Sequence, residues 1–82
     1  MNYAELSAKL RQHSHILRCV RNQTGYAFWI VPTDPRRMHI DNRVPKHVVA
    51  AAIRHGQMPG LDAMLRSGND CVYSYAGGGR DE

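Results

Sequence analysis

The stretch that most constrains this chain is residues 26–31, a predicted strand with apolar side chains on both faces. Alternation places Tyr26, Phe28 and Ile30 on one face. It places Ala27, Trp29 and Val31 on the other face. Such a strand is either covered by other elements on both of its faces, or covered on one face while the other face is available to a partner. An 82-residue chain can hardly build two covering layers, so the second arrangement has to be considered. We expect Phe28 and Ile30 in the core, whereas the sequence leaves Trp29 open between core and surface.

The segment before this strand predicts a helix followed by a β-hairpin. Asn2 can cap the helix, and Glu5 three residues later completes a capping-box pattern. Apolar spacings of three and four give the helix one narrow stripe, which the pattern extends to His13. From residue 16 the pattern becomes β, and a four-residue link ending in Gly25, which can take a positive φ, joins residues 16–21 to residues 26–31.

The second half of the chain predicts two more helices and a last strand. A short third strand is expected over residues 38–40, and a helix is expected to start at Pro45 with Val44 in its buried stripe. A short helix over Leu61–Arg66 and a strand over residues 71–75 complete the series. The order α-β-β-(β)-α-α-β predicts an α+β fold, in which a small antiparallel sheet carries two or three helices on one face.

The domain organisation follows from length and composition. Residues 1–76 are expected to form a single compact domain, and residues 77–82, GGGRDE, a flexible tail with nothing to bury. The first 17 residues hold no continuous apolar block, and no run is long enough to cross a bilayer. We therefore expect a cytoplasmic protein without a membrane partner.

The cationic residues are unevenly distributed. Residues 1–60 hold nine basic and three acidic residues, a net charge of +6, whereas residues 61–82 carry −2. Nine of the eleven basic residues are arginine, whose planar fork suits phosphate and carboxylate. Together with an aromatic ring on which an unpaired base can stack, this bias predicts a surface for nucleic acid or for an acidic protein. The alternative is that the aromatic rings fill the core and the arginines are scattered.

Eight residues are candidates for this surface, and those on the hairpin and its exit are expected to gather at one end. We expect Arg36, Arg37 and Arg43 to face solvent. The full set is Arg18, Arg21, Trp29, Arg36, Arg37, Arg43, Lys46 and Arg54.

Other kinds of site have less support. A helix–turn–helix would need residues 45–55 and Leu61–Arg66 as its two helices, but the second is short and opens with Asp62. The five histidines show no zinc spacing, and no paired carboxylates, phosphate loop or nucleophile–base pattern is present. We expect no metal, no cofactor and no catalytic activity. Cys19 and Cys71 are expected to be reduced, and both lie in strand-like runs that could become neighbours.

The sequence thus favours a small basic nucleic-acid-binding protein, of the kind that regulates a mobile element. The alternative is a protein-binding inhibitor or adaptor without catalytic activity. Small chains of that type occur among phage- and plasmid-encoded antagonists of host complexes, including anti-CRISPR proteins. A strand apolar on both faces and an alanine-lined helix side motivate this alternative. An exposed strand edge could also pair with its copy, so monomer and homodimer both remain open.

Overall fold

Four antiparallel strands form one sheet, and three helices pack on one of its faces. The computed structural model describes residues 1–37 and 42–75. The elements are α1 (Tyr3–Arg11), β1 (His15–Asn22), β2 (Gly25–Pro32), a 3-10 turn (Pro35–Arg37), β3 (Asn42–Val44), α2 (Lys46–Arg54), α3 (Leu61–Arg66) and β4 (Cys71–Tyr73). The strand order is β3-β2-β1-β4. The predicted α+β class, element order and placement of helices are confirmed.

The start of α1 is fixed by its own sequence. The Asn2 side chain accepts the Glu5 backbone N–H at 2.8 Å, and the Glu5 carboxylate accepts the Asn2 backbone N–H at 3.0 Å. The predicted capping box is therefore confirmed. Leu6 and Leu10 are fully buried, but the predicted extension of the stripe to His13 is wrong. That residue lies beyond the end of the helix, exposed and in the left-handed region with φ of 61°.

The core lies between the helices and the inner face of the sheet. Register pairs Leu17 with Ile30 and Cys19 with Phe28, so the central strands contribute a contiguous apolar block. Both Phe28 and Ile30 are buried, as predicted. The helices cover this block with a set of apolar residues that are themselves buried, namely Leu6, Leu10, Val48, Val49, Ala52 and Leu61.

The β1–β2 hairpin is tighter than expected. Asn22 pairs with Gly25, so the link is two residues long rather than four. The Asn22 side chain accepts the Thr24 backbone N–H at 3.0 Å, which closes the turn. Gly25 has φ of +120°, a conformation that side-chain-bearing residues rarely adopt.

Two of the predicted boundaries that fall on described residues differ in the structure, at Val44 and at the end of the last strand. The third strand is Asn42–Val44, and the residues predicted for it, 38–40, lie outside the described residues. Val44 therefore belongs to β3 and not to the stripe of α2, because a residue before proline is pushed to extended backbone and Pro45 is the helix cap. The last strand ends at Tyr73 instead of residue 75. The predicted tail, 77–82, also lies outside the described residues.

No helix in the described ranges has the length and apolarity needed to cross a membrane. In the same ranges, no three His, Cys, Asp or Glu side chains come together in a way that could hold a metal ion.

The two cysteines are direct cross-strand neighbours. Cys19 on β1 pairs with Cys71 on β4, and both are free thiols. Cys19 is fully buried, whereas Cys71 is partly exposed. Burial raises the pKa of Cys19 to about 12, and the neighbouring Cys71 adds to the effect. The two thiols should therefore differ sharply in reactivity, because the thiolate is the nucleophile.

We expect iodoacetamide at pH 8 to alkylate Cys71 and to leave Cys19 unmodified in the folded protein. A thiol with a raised pKa is almost wholly protonated at this pH, and burial also blocks access of the reagent. Intact-mass measurement should show one adduct under native conditions and two in denaturant. Two adducts on the native protein, added at equal rates, would contradict the buried position of Cys19.

Candidate functional site

The outer face of the sheet is the surface on which three of the eight candidate residues meet. Alternate residues of β1 and β2, such as Ile16, Val20 and Val31, point away from the three helices. These three residues do not belong to the core cluster that the helices cover, although Val31 is itself buried. Within residues 1–37 and 42–75, no helix packs on this face. The strand with two apolar faces is thus covered by helices on one side.

A row of four residues crosses this outer face. Trp29 on the central strand β2 is paired with Arg43 on β3 and with Arg18 on β1, and Arg18 is in turn paired with Val72 on β4. Each of the two guanidinium carbons lies over the indole, 5.1 Å from its ring centroid. We call Arg43, Trp29 and Arg18 the Arg-Trp-Arg row.

Trp29 takes an intermediate position that the sequence left open. It is half-buried, because the two long arginine side chains flank it while none of the described helices covers it. The indole is therefore neither a core side chain nor a fully exposed ring. The guanidinium groups beside it are planar, and such groups can stack on a base or bind phosphate.

The four carboxylates in the described ranges each have a partner of their own. Glu5 closes the cap of α1, and Asp70 accepts the backbone N–H of Arg21 at 2.7 Å. Asp34 lies 3.6 Å from Arg36, and Asp62 forms an i,i+4 pair with Arg66 at 2.7 Å. Each of these contacts lies at a cap, in a turn or along α3.

Arg21 and Lys46 lie at the hairpin end and not in the row. Arg21 is three positions from Arg18, and an odd separation on a strand places the two side chains on opposite faces. Its guanidinium carbon lies 5.7 Å from the Tyr26 ring centroid. Lys46 begins α2, and its Nζ donates to the Thr24 carbonyl at 3.0 Å. Both residues are on the helix side of the sheet.

Arg36, Arg37 and Arg54 occupy other parts of the surface. The first two follow the far end of β2, which lies about seven residues, or about 24 Å, from the hairpin turn. Burial, and then the charges of Lys9 and Arg37, lower the pKa of His15 at that end. Arg54 is exposed in the last turn of α2. The expectation that the hairpin arginines gather at one end is therefore wrong, although Arg36, Arg37 and Arg43 are solvent-facing as predicted.

The second helix of the hypothetical helix–turn–helix is poorly placed to read DNA. α3 has six residues and begins with the buried Leu61. Its basic residue, Arg66, is held by Asp62 across one turn. The short helix therefore offers no extended basic face for a major groove.

Sequence reasoning missed the apolar neighbours of the row. Val72 is 51% exposed and stands beside Arg18, and Ile16 and Val20 are partly exposed on the same face. The signal was present as the alternation of apolar and basic residues along β1. It could be interpreted only once β4 was known to lie beside β1.

Comparisons of the chain with protein-family models, curated proteins and solved structures found no match.

The Arg-Trp-Arg row can be tested through the fluorescence of Trp29, which is the only tryptophan. Replacing Arg43 by alanine uncovers one side of the indole, so acrylamide quenching should increase. The change should also lower the free energy of unfolding by roughly 0.5–1 kcal/mol, the usual contribution of an exposed cation–π pair. Arg54→Ala, on α2, is the matched control and should leave quenching unchanged. Equal quenching in the two variants would show that Arg43 does not cover the ring.

Proposed function

We propose that this protein binds nucleic acid through the outer face of its sheet and has no catalytic role of its own. The observation that carries the proposal is the Arg-Trp-Arg row, which holds two guanidinium groups on a face that no described helix covers. Guanidinium forks are the groups best suited to bidentate phosphate contacts.

The geometry favours binding through pre-organised cations. An arginine free in solvent loses rotamer freedom when it binds, and this loss lowers affinity. Here both guanidinium carbons already lie 5.1 Å from the indole centroid, which favours these rotamers before any ligand binds. The partly exposed apolar groups beside the row, among them Val72, add surface against which a sugar or base can pack. The net charge of +6 over residues 1–60 adds long-range attraction for a polyanion.

The same geometry argues for contacts to the backbone rather than for reading of sequence. The flat face of a four-stranded sheet is wider than the α-helix or two-stranded ribbon that the major groove admits, and base pairs are distinguished in that groove. Phosphate contacts position a protein but carry no sequence information directly. The proposed activity is therefore sequence-tolerant binding, with Arg43 and Arg18 on the phosphates and Trp29 as the spacer between them.

The proposal predicts a salt dependence that changes at Arg43 and not at Arg54. Labelled single- and double-stranded DNA and RNA would be titrated at about 50 mM and 200 mM salt. Arg43→Gln should reduce the magnitude of the slope of log K against log salt by about 0.7 for a single strand or about 0.9 for a duplex. This change corresponds to the loss of one phosphate contact. Arg54→Gln removes the same charge from the helix side and should leave the slope within error of the unsubstituted protein.

Two outcomes would refute the proposal. One is the absence of binding to all four nucleic acids at the lower salt concentration. The other is an equal loss of slope in the two glutamine variants, because binding would then follow net charge and not the outer face.

A second candidate function is binding of an acidic protein surface by the same face, as an inhibitor or adaptor. The exposure of Val72 beside Arg18 and Trp29 favours it, since arginine and tryptophan are the residues most often decisive in protein interfaces. Pull-down from a nuclease-treated lysate separates the two functions. A stoichiometric protein partner that is retained by the parent chain and lost by Arg43→Gln supports the second function, and loss of all partners after nuclease supports the first.

A further inference from the structure

We propose that the helix side of the sheet carries a second, independent site, which binds a small apolar carboxylate. The site is a cavity of about 230 Å³ between β2, α2 and α3. Its lining is apolar, and Lys46, one of the lining residues, extends its ammonium group to the Thr24 carbonyl of the neighbouring hairpin. The proposal does not depend on nucleic-acid binding, because the Arg-Trp-Arg row lies on the opposite face.

One wall of the cavity is a fixed aromatic pair. Tyr26 and Phe28 stack with ring centroids 6.1 Å apart and an interplanar angle of 25°. The Tyr26 hydroxyl donates to the Asn69 carbonyl at 2.9 Å, so its ring cannot rotate to close the space. Ile53 and Leu65, both partly exposed, contribute the aliphatic surface from the helices. Partly exposed apolar groups gathered around a concave space are typical of a binding site.

The cavity exists because α2 presents alanine at this point. Ala50 lines the space and is exposed, although the helix carries larger valines at the next positions toward the sheet. A leucine at this position would extend into the cavity from a helix interior that tolerates it well. The run of small residues on α2, left without a role by the nucleic-acid proposal, thus has a structural consequence.

The charge at the rim defines the ligand. The Lys46 Nζ donates one hydrogen bond, to the Thr24 carbonyl at 3.0 Å, and lies beside Gly25 of the hairpin. An ammonium group has three donors, so two remain for a ligand in the part of the chain that is described. No carboxylate is among the described lining residues. Arg21, stacked on Tyr26, adds further positive charge nearby.

An apolar slot with one cation at its mouth selects a carboxylate attached to a small apolar body. A cavity of about 150 Å³ lined by apolar side chains is enough for a benzene ring, so 230 Å³ accommodates a ring with a short linker. The carboxylate would accept from Lys46, and the ring would lie against Tyr26 and Phe28. A probe with this chemistry is 3-phenylpropanoate, and its amide is a neutral counterpart of the same shape.

Titration of the full chain with 3-phenylpropanoate, followed by methyl NMR, tests the site. We expect saturable shifts at the methyl groups of Ala50, Ile53 and Leu65, with a dissociation constant near or below about 1 mM. The amide should bind about tenfold more weakly, because it lacks the charge-assisted hydrogen bond. Lys46→Met should remove this difference and leave the two probes equal.

Cavity filling supplies the second arm of the test. Ala50→Leu should abolish binding of both probes, whereas Ala63→Leu, at an exposed position of α3 outside the cavity lining, should bind as the unsubstituted chain does. Retained dispersion of the methyl spectrum would show that each variant folds. If the Ala50→Leu variant fails to fold, the relative affinities of the acid and the amide for the Lys46→Met variant decide whether the site exists. The proposal is wrong if no saturable shift appears by about 10 mM, if the amide binds as well as the acid, or if a folded Ala50→Leu variant keeps its affinity.

Discussion

The pairing of β1 with β2 is the constraint on which the rest of the structure depends. Eight residue pairs in one antiparallel register, from His15 with Pro32 to Asn22 with Gly25, make this hairpin the longest continuous contact of the fold. A shift by one residue would turn every side chain to the other face. The register is held because Leu17, Cys19, Phe28 and Ile30 are all needed on the inner face, where the helices bury them.

The same register also creates the outer face. Once the even residues of β1 and the odd residues of β2 point outward, Arg18 and Trp29 become neighbours without any further requirement. The short edge strands then add Arg43 on one side and Val72 on the other. The described part of the chain supplies one layer of helices for a sheet whose central strand β2 is apolar on both faces. The arginines of the row therefore have two functions, since they shield the indole and give the face its charge.

The two proposed sites use opposite sides of the central strand. Trp29 faces the Arg-Trp-Arg row, whereas Tyr26 and Phe28 form the wall of the cavity on the helix side. Lys46 and Arg21, which sequence analysis assigned to the same basic surface as Arg18, belong to the second environment. A chain of 82 residues can present two chemically distinct surfaces because both surfaces include side chains of the same strand, β2.

Local rules in the sequence determined the elements. Asn2 and Glu5 indicated the start of the first helix, and the alternation in β1 and β2 identified the hairpin. The spacing of apolar residues located both later helices. These signals were sufficient because each depends only on residues that are close in sequence. Tertiary structure alone decided which strands are adjacent, and hence that Cys19 meets Cys71 and that Arg43 meets Trp29. It also divided eight candidate residues among the outer face, the hairpin end, the far end of β2 and α2. Contacts between distant segments depend on strand order and packing, which no local pattern encodes.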